Sequence, residues 1–172
     1  MGAQSLAIKN PKLTTMNDPR ERLRYKMHIA HHLTELGHLT NRLVLEGELL
    51  TPDRTRALRE QMKTLPEFVH KFTIPFSERQ SERFQAFIER AQHTFPKPVY
   101  LWTQYTNECG ALRLSSIRDL NFGFDFKVES NGILSLIAED LTNRMLLDFY
   151  EDGQNQLLDI ELAGTEWGKL AY

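Results

Sequence analysis

The stretch RMLLDFYEDGQNQLLDIELA, residues 144–163, decides the fold class of this chain. Arg144–Tyr150 and Gln156–Ala163 both alternate apolar with polar side chains, which is the period of a half-buried β-strand. Asp152-Gly153 lies between them, and glycine readily adopts the positive φ that tight hairpin turns need. The stretch therefore predicts an antiparallel hairpin.

Further strands are predicted on the N-terminal side of this hairpin. Alternation over Phe122–Val128 predicts a half-buried strand, and Asn131-Gly132 favours a two-residue turn after it. The run Ile133–Glu139 is apolar on both sides, which predicts a central strand. Together with the hairpin these strands form a predicted meander. A further pair is predicted across the Asn107–Gly110 turn, from Val99–Tyr105 and Ala111–Ser115.

The chain before Pro98 has the period of helices, with apolar residues three and four apart. Asp, Ser or Thr followed by Pro, or by Glu or Gln three residues on, is typical of a helix start. These signals predict three helices: one from Asp18 to Glu46, one from Thr51 to Phe72 with a kink or a break at Pro66, and one from Ser77 towards Phe95.

Helices followed by strands predict an α+β fold, with three N-terminal helices packed on a C-terminal antiparallel β-meander. We predict an N-terminal arm at residues 1–17, a helical region at 18–95 and a sheet region at 99–172. A chain of 172 residues suits one compact domain that contains both regions.

The composition excludes several classes of protein. With 41% apolar and 26% charged residues the chain is expected to be a folded globular protein. No apolar run approaches the roughly 18 residues of a membrane helix, and the N-terminus lacks a secretory apolar core. The single cysteine, Cys109, excludes an internal disulfide. We therefore expect a cytoplasmic protein that does not interact with membranes.

The charges are distributed unequally along the chain. Residues 1–98 contain 16 Lys/Arg against 11 Asp/Glu, a net charge of +5, whereas residues 99–172 contain 5 against 12, a net charge of −7. The basic residues of the helical region are interrupted by acids, so a nucleic-acid surface is not expected. The acidic second half should attract basic partners.

Four of the six histidines lie in KMHIAHHLTELGH, residues 26–38. On a helix, His28, His31, His32 and His38 fall opposite the main apolar stripe, together with Glu35. This predicts a solvated polar face, and the alternative is a metal-binding or enzymatic site on the same face. We expect no metal ion, because Glu-x-x-His di-metal sites need inward carboxylates from four helices.

Catalytic motifs are missing from the sequence. The phosphate-binding glycine loop, the dinucleotide fingerprint, His-Glu-x-x-His and Gly-x-Ser-x-Gly are all absent. Cys109 has no histidine near it in the sequence to act as a base. We therefore predict a protein that is not an enzyme and that needs no cofactor.

The outward positions of the predicted hairpin carry acidic and aromatic side chains. Carboxylates steer a basic partner, while Tyr and Trp bury a large area at low entropic cost. This predicts a partner-binding surface, and the alternative is a solubilising sheet face with the tryptophan closing the edge of the core. The candidate residues are Asp148, Tyr150, Glu151, Asp152, Asp159, Glu161 and Trp167.

The segment Glu129–Gly168 resembles the sheet portion of small bacterial immunity proteins of contact-dependent or type VI toxin systems. The shared features are a strand ending in Leu-Asp-Phe-Tyr-Glu, a strand containing Leu-Asp-Ile-Glu, and a tryptophan shortly after it. The resemblance implies a non-enzymatic cytoplasmic inhibitor that blocks a basic toxin or nuclease domain. The first alternative is a secretion chaperone or an accessory subunit of a bacterial defence complex, and the second is the metal-binding or enzymatic protein.

Overall fold

A six-stranded antiparallel sheet forms the centre of the protein in the computed structural model, which describes residues 16–172. The predicted arm, residues 1–17, lies outside the described residues except for its last two. The order across the sheet is β1-β6-β5-β4-β2-β3. The strands are β1 His70–Pro75, β2 Val99–Trp102, β3 Leu112–Leu114, β4 Ile133–Ala138, β5 Asn143–Asp152 and β6 Asn155–Gly164.

Within residues 16–172 the chain also forms four α-helices, so the predicted α+β class is confirmed. The arrangement differs from the predicted three N-terminal helices, because a short fourth helix lies between β2 and β3. The helices are α1 Pro19–Thr40, α2 Pro52–Gln61, α3 Glu82–Thr94 and α4 Thr106–Cys109. No helix of the described part is long and apolar enough to cross a membrane.

The predicted hairpin is confirmed and is slightly longer than its sequence pattern. β5 and β6 pair along their whole length, out to Asp152 opposite Asn155. Gly153 has φ +62° in the turn between them, a conformation that glycine adopts without strain. The predicted pairing of β2 with β3 is also confirmed, with Val99 opposite Leu114.

The strand predicted at Phe122–Val128 is wrong. Asn121 and Asp125 each accept a backbone hydrogen bond from the residue two positions on, 3.0 Å in both cases. Such side-chain bonds compete with a strand ladder and favour turns. The phenylalanines are nevertheless buried or half-buried, because the turns place their rings against the core.

The helix predicted from Thr51 to Phe72 is also wrong in its second half. α2 ends at Gln61, and the segment that follows Pro66 extends into β1 instead. Pro66 cannot donate to a helix, and the β-branched residues after it favour extended backbone. β1 pairs with β6 at the edge of the sheet, so the predicted helical region supplies a strand.

Two helix ends differ from the predictions as well. α1 ends at Thr40 rather than Glu46, because Asn41 adopts the left-handed conformation, φ 51°, and its N–H bonds Gly37 O. α3 begins after Ser81 rather than at Ser77, and the Ser81 hydroxyl accepts the Phe84 N–H at 3.1 Å. Residues 76–80 form a 3₁₀ turn before it.

One hydrophobic cluster joins the helices to one face of the sheet. It combines Leu36 and Leu39 of α1 and Phe84 and Phe87 of α3 with the inward side chains of all six strands. We call this side of the sheet the inner face. The opposite side, the outer face, carries the alternate strand residues Trp102, Ile133, Ser135, Leu146, Asp148, Tyr150, Leu157, Asp159, Glu161, Lys71 and Thr73.

Candidate functional site

The outer face brings together four of the predicted binding residues. Asp148 lies directly opposite Asp159 in the β5–β6 pair, and Tyr150 and Glu161 project to the same side along their strands. Tyr150 is 37% exposed. The alternation seen in the sequence therefore places these side chains on one surface, as predicted.

Asp152 extends this surface at the tip of the hairpin, whereas Glu151 alternates to the opposite side of β5, the side of Phe149. Both side chains are exposed, at the point where β5 runs past the end of the core. They carry negative charge beside Tyr150. A partner that approaches the hairpin tip therefore meets two solvated carboxylates before it reaches the sheet.

Trp167 does not lie on this surface. Its side chain is 0% exposed, and the indole N–H donates to Ala91 O of α3 at 3.0 Å. The Asn143 side chain accepts the backbone N–H groups of Glu166 and Trp167, which turns the chain back over the core after β6. The tryptophan closes the edge of the core, as the alternative interpretation of the sequence expected.

Lys71 of β1 neutralises part of the acidic surface. Its ammonium group lies 2.8 Å from Asp159 and 3.1 Å from Glu161. These hydrogen bonds raise the pKa of Lys71 above its ordinary range. The sequence analysis did not predict this contact, because it assigned residue 71 to a helix and not to the sheet.

Asp159 is the most enclosed carboxylate of the outer face. Besides Lys71 it accepts a hydrogen bond from the Thr73 hydroxyl at 2.5 Å. Burial acts to raise the pKa of Asp159, but the hydrogen bonds from Lys71 and Thr73 outweigh burial and hold the pKa below its ordinary range. The pKa of Asp148 is raised, by burial and by the facing carboxylate of Asp159.

We predict that Lys71→Met raises the pKa of Asp159. The substitution removes the cation 2.8 Å from this carboxylate and leaves Asp148 as its nearest charged neighbour across the β5–β6 pair. Carboxyl ¹³C chemical shifts followed against pH measure this pKa directly. An unchanged Asp159 titration would show that Lys71 does not control the charge of the face. Lys63→Met, in the 3₁₀ turn Met62–Thr64 after α2, is the matched control.

Apolar and aromatic side chains surround these carboxylates. Ile133 is 43% exposed, and Trp102, Leu146 and Leu157 on the same face are half-buried. At the other end of the face Phe68 covers Arg144, with the guanidinium 3.8 Å from the ring centroid. Within residues 16–172 the outer face is therefore open mainly towards the hairpin tip.

The predicted solvated histidine face is wrong for two of its members. His32 is fully buried, and its Nε2 lies 3.0 Å from Gly110 O. Burial lowers the pKa of His32 to about 4. His28 stacks on Tyr105 with ring centroids 4.6 Å apart and is hydrogen-bonded to Glu108. The physical reason is α4 with its flanking turns, which packs against this side of α1.

His31 and His38 are exposed, as predicted. The four imidazoles do not converge on one point. In the part of the chain that the structure describes, no group of three or more His, Cys, Asp or Glu side chains could hold a metal ion.

Two buried glutamates were not predicted. Glu35 was expected on the solvated face, but its side chain is 2% exposed and accepts a hydrogen bond from Gln104 at 3.0 Å. Glu129 is 3% exposed and accepts the Ile133 N–H at 3.0 Å. Burial raises the pKa of both carboxyls. The sequence does not indicate that Glu129 is buried, because the segment before it, Phe122–Val128, alternates like a strand and forms turns instead.

Cys109 lies at the end of α4 and is fully buried. Burial, with a smaller contribution from the nearby Glu108 carboxylate, raises the pKa of its thiol to about 12. A thiol with such a pKa is protonated at neutral pH, and the thiolate is the form that attacks. The side chain is a packing group here.

The fold and the outer face define an α+β protein whose antiparallel sheet is packed on one side and open to solvent at one end of the other. Comparisons with protein-family models, with curated proteins and with solved structures find no match for this chain.

Proposed function

We propose that this protein is a non-enzymatic inhibitor of the immunity type, which neutralises a toxin or nuclease by holding it against the outer face. One observation carries the proposal: carboxylates, Tyr150 and exposed Ile133 lie side by side on an uncovered part of the sheet. Exposed apolar area rimmed by charged groups is typical of a protein-binding site.

The chemistry of the outer face favours a basic partner. Asp148, Glu151 and Asp152 have no cation within ion-pair distance among the described residues, so their charge is available to a partner. Negative potential accelerates the encounter with a basic surface, whereas buried aromatic contacts supply most of the affinity. The net charge of −7 on residues 99–172 acts in the same direction.

Alanine substitutions on the outer face test the proposal. We predict that Tyr150→Ala weakens partner binding by about thirtyfold, the effect of losing a hot-spot contact of about 2 kcal/mol. Asp148→Ala should mainly slow association and reduce its salt dependence. The partner is captured from native cells with the wild-type chain, and its affinity for each variant is measured by calorimetry.

Glu82→Ala is the matched control, because Glu82 is exposed at the start of α3, away from the outer face. Equal binding of Tyr150→Ala and the wild type would contradict the proposal, as would a partner that is acidic at the contact surface.

A chaperone or accessory subunit is the second candidate, and one observation favours it. Leu23 and Met27, one turn apart on α1, are 60% and 64% exposed. An amphipathic client helix could cover such a pair. The double substitution Leu23→Ala, Met27→Ala should abolish binding of this kind and leave outer-face binding intact, so the two sets of variants separate the candidates.

A further inference from the structure

A cleft separates the loop at residues 126–132 from the end of β5. It has a volume of about 500 Å³ and is lined by Phe126, Lys127, Glu129, Phe149, Tyr150 and Glu151, with the turn at 130–132 closing one side. We call it the tip cleft. Its size is within the range of about 300–1,000 Å³ that accommodates small ligands, and it is ample for one long side chain.

Glu129 is the most buried charged residue that lines the tip cleft, at 3% exposed. Its Oε2 accepts the Ile133 N–H at 3.0 Å, and the backbone N–H groups of Asn131 and Gly132 also act on the carboxylate and lower its pKa, against the larger effect of burial. Its Oε1 is buried and accepts no hydrogen bond of normal geometry among residues 16–172. A buried carboxyl oxygen without a partner costs free energy that an incoming donor recovers. The nearby carboxyl of Glu35 adds negative potential behind it.

Aromatic rings form the apolar wall of the same cleft. Phe126 and Phe149 meet edge to face with centroids 5.8 Å apart, and Tyr150 follows Phe149 at the mouth. A flat cation gains from aromatic contact and from a carboxylate at once. Glu151 at the rim adds a second negative charge, and Lys127 at the rim opposes it with a positive one.

We propose that the tip cleft receives an arginine side chain of the protein partner, with its guanidinium group on Glu129. The inference rests on the proposed function for the identity of the partner, and it specifies which side chain that partner must present. An arginine fits better than a lysine, because the planar guanidinium can contact the aromatic wall while it donates to the carboxylate.

A small probe tests the cleft without any partner protein. The probe is n-butylguanidinium, and n-butylurea is its uncharged control of nearly the same shape. We expect saturable amide shifts at Asn131, Gly132 and Ile133 with millimolar n-butylguanidinium, read in ¹H–¹⁵N spectra, and a concurrent shift of the Glu129 carboxyl carbon. n-Butylurea should give neither.

Two variants make the test specific. Glu129→Gln keeps an acceptor for the Ile133 N–H and should weaken binding of the probe by about tenfold or more, the effect of losing a charge-assisted hydrogen bond. Lys127→Ala should strengthen it by removing a like charge. Glu139→Gln, which lies in an exposed ion pair with Arg113, is the control and should leave it unchanged.

Absence of saturable shifts in the wild-type protein would overturn the inference, and so would equal responses to the two probes or an unaffected Glu129→Gln variant. The carboxyl shift of wild-type Glu129 decides the matter if Glu129→Gln does not fold. The proposed function fails separately, when no partner is captured or when Tyr150→Ala binds like the wild type.

Discussion

Replacing Trp167 with alanine is expected to lower the free energy of unfolding by about 3–5 kcal/mol, the usual cost of deleting a buried aromatic side chain. The indole is fully buried and lies against Phe95 with ring centroids 5.7 Å apart. Its loss also leaves Ala91 O without the 3.0 Å hydrogen bond from the indole N–H. Urea unfolding followed by far-ultraviolet circular dichroism measures the change.

Trp102→Ala is the matched control, since Trp102 is the second of only two tryptophans and is half-buried on the outer face. It should cost much less stability, because less apolar area and no fully enclosed cavity are involved. Trp167→Phe should fall between the two, because it keeps an aromatic ring but loses the indole N–H. A Trp167→Ala variant as stable as Trp102→Ala would refute the structural role of Trp167.

The sequence predicts the hairpin well because the inward positions of its two predicted strands are all apolar and its turn contains a glycine. Period-2 alternation with one buried face leaves a single register, since a slip of one residue would expose every apolar side chain of the strand. Asp148, Tyr150 and Glu161 follow from that alternation. Trp167 does not, because the chain has left the strand at Gly164, and no periodicity describes the turn that buries the indole.

Alternation fails as evidence where side chains bond their own backbone. Phe122–Val128 alternates more strictly than β5, yet Asn121 and Asp125 form local turns there. β1 shows the reverse error, because Phe72 stands at a helical spacing from Leu65 and Val69. Pro66 and the β-branched residues after it favour extended backbone, and the tertiary pairing of β1 with β6, which the local sequence does not encode, makes this segment a strand.

The sequence predicts the carboxylates of the candidate site, but it does not predict the lysine that neutralises them or the loops that bury other acids. The carboxylates of the outer face lie close together in the sequence, so the hairpin alone assembles them. Lys71 reaches Asp159 from 88 residues away in the sequence, and Glu35 and Glu129 are enclosed by loops from other parts of the chain. These long-range contacts set the pKa values of the site, and the sequence pattern contains no trace of them.

Acid is expected to remove about 3 kcal/mol of stability through His32 between pH 6.5 and about pH 4. Burial between α1 and the Gly110 turn lowers the pKa of His32 from 6.5 to about 4, with a small further effect of His31. In this pH range the unfolded chain binds a proton at residue 32 and the folded protein does not. The contribution of His32 to the free energy of unfolding is therefore fully present above pH 6.5, and it is lost as the pH falls to about 4.

The difference between the wild type and His32→Gln isolates this contribution. Glutamine can still donate to Gly110 O but does not titrate, so the stability advantage of the wild type should shrink by about 3 kcal/mol from pH 7 to pH 4. The comparison is needed because Glu35 and Glu129, whose pKa values burial raises, act in the opposite direction: their protonation stabilises the fold as the pH falls. His38→Gln, at the exposed end of α1, is the matched control for removing a histidine from this helix. If the stability difference between the wild type and His32→Gln stays constant from pH 7 to pH 4, the burial of His32 does not govern the response to acid.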